Sequence, residues 1–188
     1  MRDISLHLMD IMQNSITAKA SKVTIVIEAY SEYDSLLITV SDNGMGMGEE
    51  LLSQVTNPFV TTRSTRKVGL GISLLRASAE RAGGQIEISS KINEGTTLKA
   101  SFEISNIDRI PLGDISQTII SMIAANPDKD FELLLESSKG NFRVDTAEIK
   151  EKLGEVPVNN FEIITWIKEF IDEGIKITFG GVLNEINS

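Results

Sequence analysis

Asp10 and Asn14 stand four residues apart in a run with helical spacing, so their side chains share one face. A carboxylate and an amide oxygen suit a hard cation such as magnesium, which keeps several waters and takes few protein ligands. Asp42-Asn43-Gly44-Met45-Gly46 sets a second carboxylate at the end of a β-rich run, beside glycines that permit close approach to the backbone. That carboxylate can accept a hydrogen bond from an exocyclic amine. Gly69-Leu70-Gly71 stands immediately before another helical run, where free N–H groups and the positive dipole end form a phosphate cradle. Arg63, Arg66 and Lys67 precede the cradle and are placed to cover phosphates. Gly95-Thr96-Thr97 opens a late strand, where a hydroxyl can join a polar network. Each patch alone is an ordinary turn, helix start or solvated face. In this order and spacing they make sense together.

The elements that must position these residues follow from hydrophobic periodicity. Residues 4–20 read as a helix with Ile4, Leu8, Ile11 and Ser15 along one stripe. Residues 22–29 and 35–41 read as strands around a polar turn at residues 32–34. Residues 42–48 form a loop and 49–55 a short helix. Residues 58–67, poor in apolar side chains, suggest a mobile connection. Residues 71–82 return to helical spacing and stop at Gly83-Gly84, and residues 85–90 and 96–104 form a hairpin around Asn93-Glu94-Gly95. The composition shifts near Ile110-Pro111, which sets a boundary between residues 1–109 and a small α+β segment, 110–188. That segment reads as helix (114–125), strand (131–136), strand (141–144) and helices (146–153, 159–171). Ile115, Ile119, Ile120 and Ile123 give one of its helices an apolar face, as Phe161, Ile164, Ile167 and Ile171 do the last, with Trp166 beside that stripe. The expectation is that the segment packs on the first domain; the other reading is a partner-binding or dimerising surface.

Bulk properties remove several classes. The 188 residues suit one domain and an appendage, and the 41% hydrophobic and 24% charged fractions are those of a globular protein. No apolar run approaches the roughly 20 residues of a membrane span, and the polar start is unlike a signal peptide. Without cysteine there is no disulfide and no thiolate metal site, and the single histidine, His7, argues against a zinc centre or a Ser-His-Asp triad. The net charge of −9 is uneven: residues 1–109 carry 11 basic and 13 acidic side chains, residues 110–188 carry 7 and 14. An acidic chain without a basic stripe argues against nucleic acid and anionic membrane as partners. These features favour a cytoplasmic location.

The motifs also resemble a known family. His7-Leu8-Met9-Asp10-Ile11-Met12-Gln13-Asn14-Ser15 resembles the N box of the GHKL superfamily (gyrase, Hsp90, histidine kinase, MutL), and Asp42-Asn43-Gly44-Met45-Gly46-Met47 its G1 box. Asn57-Pro58-Phe59-Val60-Thr61-Thr62 is similar to the F box of histidine kinases, Val68-Gly69-Leu70-Gly71-Ile72-Ser73 to their G2 box, and Gly83-Gly84-Gln85-Ile86 with Gly95-Thr96 to the closing strands. The likeness covers about residues 4–104 and is closest to histidine-kinase catalytic domains. It implies an α+β fold: a two-layer α/β sandwich of Bergerat type, with a mixed sheet, helices on one face and ATP bound under a flexible lid. By the same resemblance Asn14 would coordinate Mg2+ and Asp42 would bind the adenine amino group. Ala18, Gly44, Gly46 and Met47 would shape the base pocket. Thr62, Lys67, Gly69, Leu70 and Gly71 would line the phosphate path, and Thr96 would support the Asp42 network. Asp10 falls where the family usually has a glutamate acting as general base; aspartate is one methylene shorter, about 1.5 Å of reach.

The N box begins within the first ten residues, so the expectation is a domain without the dimerising hairpin that carries the phosphoacceptor histidine of a sensor kinase. No transducer domain of gyrase or MutL type is expected either. His7 sits one helical turn before Asp10 and reads as a packed or capping histidine rather than a phosphoacceptor. Two functions remain open. One is a protein kinase acting in trans on a histidine or serine of a separate partner, or an ATPase hydrolysing ATP in a regulatory role. The other is a nucleotide-sensing module, anti-sigma-like, that docks or releases a protein with little or no catalysis. A homodimer is compatible with both.

Overall fold

The computed structural model describes residues 3–56, 70–180 and 182. The order of elements is α1 (Ile4–Thr17), β1 (Lys22–Tyr30), β2 (Ser35–Asp42), α2 (Glu49–Thr56), α3 (Leu70–Arg81), β3 (Ile86–Lys91), β4 (Gly95–Glu103), α4 (Ile115–Ala125), β5 (Asp130–Ser137), β6 (Gly140–Asp145), α5 (Thr146–Leu153) and α6 (Phe161–Phe179). The strands make one mixed sheet in the order β3-β4-β2-β1-β5-β6, antiparallel except for the parallel pair β1–β5. Fold class and sheet type agree with the sequence reading.

Period-two alternation decides which face is covered. Val23, Ile25, Ile27 and Ala29 of β1, Leu36, Ile38 and Val40 of β2, Leu98, Ala100 and Phe102 of β4, and Phe131, Leu133 and Leu135 of β5 are all buried. Against them lies a helical layer in the order α3, α1, α4, α6, each helix touching the next. The intervening strand positions carry Lys22, Thr24, Glu28, Thr39, Lys99, Glu132 and Arg143 and form the outer face. On it Glu132 pairs with Lys22 and Arg143, both at 2.7 Å, which ties β1 to β5 and β6.

Residues after 109 extend the same sheet rather than starting another. Phe131, Leu133 and Leu135 align with Val23, Ile25 and Ile27 across the parallel pair. The N–H groups of Ile4 and Ser5 donate to the carbonyls of Pro111 and Leu112, both at 2.9 Å. Arg109, almost fully buried, donates from Nε to the Ile104 carbonyl at 2.8 Å.

Two helix ends differ from the sequence reading. α1 stops at Thr17 because Ala18 is its C-cap and Lys19 turns left-handed at φ 62°. α6 runs eight residues beyond Ile171, through the polar run Asp172-Glu173-Gly174. Gly174 is buried there because the Phe142 ring occupies the space a Cβ would need. A glycine that reads as a breaker is therefore a packing position.

Candidate functional site

α1 is set by its N-cap: Asp3 Oδ1 accepts from the Leu6 N–H at 3.0 Å, and Ile4, Leu8, Ile11, Met12 and Ser15 turn inward. Asp10 and Asn14 then fall on the neighbouring face, Asp10 half-buried and Asn14 exposed. α3 closes on Asp10. A Cβ on Gly71 would come within 2.7 Å of Asp10 Oδ2, so a larger residue at the start of α3 would push the carboxylate aside.

Asp42 continues the inward stripe Leu36-Ile38-Val40 of β2, which puts a charged group at the last position of an apolar row. It is held at both oxygens: Oδ2 accepts from Ser15 Oγ at 2.8 Å and Oδ1 from the Gly44 N–H at 2.8 Å. Both bonds fix the carboxylate plane and leave acceptor capacity for a ligand amine. The glycine-rich loop that follows is stapled to its surroundings. Met45 N–H donates to the Ala18 carbonyl and Asn93 N–H to the Met45 carbonyl, both at 2.8 Å. Gly46 has φ 62°, and a Cβ there would collide with the Lys91 carbonyl. The tight approach at Gly46 is thus to the protein's own backbone.

Thr96 is the register partner of Asp42, but its hydroxyl pairs with Ser90 Oγ at 2.8 Å. Ser90 Oγ also accepts from the Met47 N–H at 2.8 Å. Thr96 therefore supports the glycine-rich loop through Ser90 rather than touching the carboxylate. Sequence reasoning missed Ser90 entirely and placed Ser15 on a packing stripe and at the end of the first motif, without a contact to Asp42. A serine among Ile4, Leu8 and Ile11 was the available signal for Ser15; Ser90 gave none.

The structure brings together Asp10, Asn14, Ala18, Asp42, Gly44, Gly46, Met47, Gly71 and Thr96, with Leu70 opening α3. Thr62, Lys67 and Gly69, and with them Arg63, Arg66 and the mobile connection expected over residues 58–67, lie outside the described residues.

His7 is 1% exposed, and neither ring nitrogen has a hydrogen-bond partner among the described residues. Burial holds its pKa below the ordinary value of 6.5, against the opposing pull of the Asp10 and Asp3 carboxylates. A histidine kept neutral when folded but free to protonate when unfolded destabilises the fold as pH falls below about 6.5. Unfolding free energy should therefore decline from pH 7 towards pH 5. In His7→Gln that part of the slope should vanish; chemical denaturation at several pH values measures it, and an unchanged slope would show that His7 is not its source.

The chain belongs to the histidine kinase-, DNA gyrase B- and HSP90-like ATPase family, whose profile matches residues 2–106. It is 34% identical over 99 residues to the "Probable C4-dicarboxylate sensor kinase" of Halalkalibacterium halodurans, covering 50% of this chain and 19% of that protein. It is 29% identical over 133 residues to the histidine protein kinase DivJ of Caulobacter vibrioides, covering 67% of this chain and 20% of that protein. The chain thus spans about a fifth of the length of either kinase. The crystal structure of the N-terminal domain of a DNA repair protein superposes with a TM-score of 0.50 at 16% identity, over 77% of this chain and 52% of that one. That likeness is one of fold.

The residues present fit Mg-ATP. Asp42 offers a fixed acceptor for an amino group, and Asp10 and Asn14 offer two hard oxygens. Among the described residues no cluster of three or more His, Cys, Asp or Glu could hold a metal ion alone. Among the described residues no helix is long and apolar enough to cross a membrane.

Proposed function

We propose that this chain binds Mg-ATP and transfers the γ-phosphate to a separate partner protein. The observation that carries the reading is the Asp42 carboxylate, pinned by Ser15 and Gly44 at the end of β2, beside the helix α1 that also carries Asp10 and Asn14. In this reading Asp42 accepts the adenine 6-amino group, while Ala18, Gly44, Gly46 and Met47 surround the base. Asn14 takes a magnesium position, and the backbone at Leu70 and Gly71 faces the phosphates at the start of α3. Thr62, Lys67 and Gly69 belong to the same site by resemblance to the family. Bound Mg-ATP supplies the electrophilic phosphorus and neutralises charge on the phosphate oxygens. Asp10 takes the proton from the attacking group. His7, the chain's sole histidine, is buried, which supports an acceptor on another protein.

A second reading, a nucleotide-sensing module, draws on Asp10 itself. Its side chain is shorter than a glutamate and packs against Gly71, which limits its travel towards an attacking group. Incubation with γ-labelled ATP and the products of neighbouring genes separates the two. Label on a partner supports transfer; nucleotide-dependent co-purification without label supports sensing. Asp10→Asn should leave ATP binding nearly intact and lower turnover by about 100-fold or more, the usual range for a general base. Undiminished turnover would remove Asp10 from the chemistry.

A further inference from the structure

α6 carries more apolar surface than the fold uses. Its inward seam is Ile164, Ile167, Ile171, Gly174 and Thr178, at intervals of three and four, and it packs on α4, β5 and β6. One position round the helix runs a second seam with the same intervals: Ile163, Trp166, Phe170, Glu173 and Ile177. Trp166 is 49% exposed, Phe170 36% and Ile177 64%. These aromatics are nonetheless ordered against one another. The Trp166 and Phe170 rings stack at 5.4 Å with 6° between planes, and Phe170 meets Phe142 at 4.9 Å. Phe142 belongs to β6, the free edge of the sheet, so the ledge lies where a fifth helix would continue the layer α3, α1, α4, α6.

We infer that this seam docks a basic amphipathic helix from another protein. Intervals averaging 3.5 residues are those by which one helix seats along another. The charge decides the occupant. Glu173 interrupts the seam and Glu162, Glu169 and Lys176 flank it, so three carboxylates face one ammonium, and none of the three glutamates is ion-paired among the described residues. A second copy would set these carboxylates and a segment with twice as many acidic as basic side chains against themselves. A helix with apolar residues at the same intervals and Lys or Arg opposite Glu169 and Glu173 meets both requirements. The candidate nucleotide residues belong to α1, the end of β2 and the start of α3, whereas α6 closes the other end of the layer, so docking is readable without ATP and does not depend on phosphate transfer.

Trp166 is the only tryptophan and reports directly. The probes are two synthetic 21-residue helices with Leu at seam positions, one flanked by Lys and one by Glu. The Lys peptide should give a saturable blue shift of Trp166 fluorescence, and the Glu peptide should bind at least about tenfold more weakly, because like charges oppose association. Glu169→Lys with Glu173→Lys should reverse the preference. Glu49→Lys with Glu50→Lys on α2 makes the same change in net charge and should leave the preference intact. By calorimetry Trp166→Ala, whose side chain is half exposed and whose fold circular dichroism checks, should bind the Lys peptide at least about tenfold more weakly. Equal binding of both peptides, no binding of either, or equal loss in the α2 control would overturn the inference. So would a Trp166 shift that grows with protein concentration alone and sediments as a dimer, which would assign the seam to a second copy.

Discussion

Asp42→Asn is expected to lower ATP affinity by about 1.5–3 kcal/mol, the range for a hydrogen bond that involves a charged group. At about 1.4 kcal/mol per factor of ten, that is roughly tenfold to 150-fold. The loss should be confined to binding. Asparagine keeps an acceptor oxygen for the Gly44 N–H, and its amide can donate to Ser15 Oγ, whose lone pairs are free to accept. Thermal unfolding of the variant should therefore stay close to that of the parent. GTP presents a carbonyl where ATP presents an amine, so the parent should prefer ATP and the variant should lose much of that preference. Titration calorimetry with non-hydrolysable analogues measures all four affinities. Equal affinity of the parent for ATP and GTP would remove Asp42 from base recognition.

The position of Asp42 was legible because a strand alternates. Leu36, Ile38 and Val40 mark the inward face, and the next inward residue is the carboxylate. α1 was equally legible, since an apolar stripe at helical spacing leaves Asp10 and Asn14 on a face of their own. What escaped was long-range pairing. Nothing local to Ser15 or Ser90 says that one will meet a carboxylate 27 residues away or that the other will hold the Met47 N–H. The glycines show the same limit. Their number announced a loop at residues 42–48, but the neighbours that crowd them, the Lys91 carbonyl for Gly46 and the Asp10 carboxylate for Gly71, come from other elements. Strand order was illegible for the same reason. Periodicity shows that β1 and β5 are strands buried on one face, and only the tertiary pairing shows that they are neighbours.

That pairing governs the largest stability effect. Deleting residues 110–188 is expected to leave residues 1–109, the stretch that the family profile covers almost to its end, insoluble or strongly destabilised. β1 would lose its parallel partner along its whole length and become an open edge next to Val23, Ile25 and Ile27, an invitation to aggregation. α1 would lose α4, whose Ile115, Ile119 and Ile123 are buried in the same core as Leu8 and Met12. Re-exposing even four or five such side chains costs about 1.5–3 kcal/mol each. Total stability is only about 5–15 kcal/mol, so the loss rivals the whole. The ion pairs Lys22–Glu132 and Arg143–Glu132, whose cationic ends are solvated, add less than the apolar burial, since pairs open to solvent contribute about 0–1 kcal/mol. A useful contrast is Leu133→Ala in the full chain. It leaves every strand in place, removes one fully buried side chain, and should cost about 2–5 kcal/mol while the protein remains soluble. Denaturant unfolding of the point variant and light scattering of the truncation are the measurements. A truncated chain as stable and monodisperse as the parent would make residues 110–188 a detachable module, and the sheet continuity across residue 110 would then contribute nothing to folding of the nucleotide-binding part.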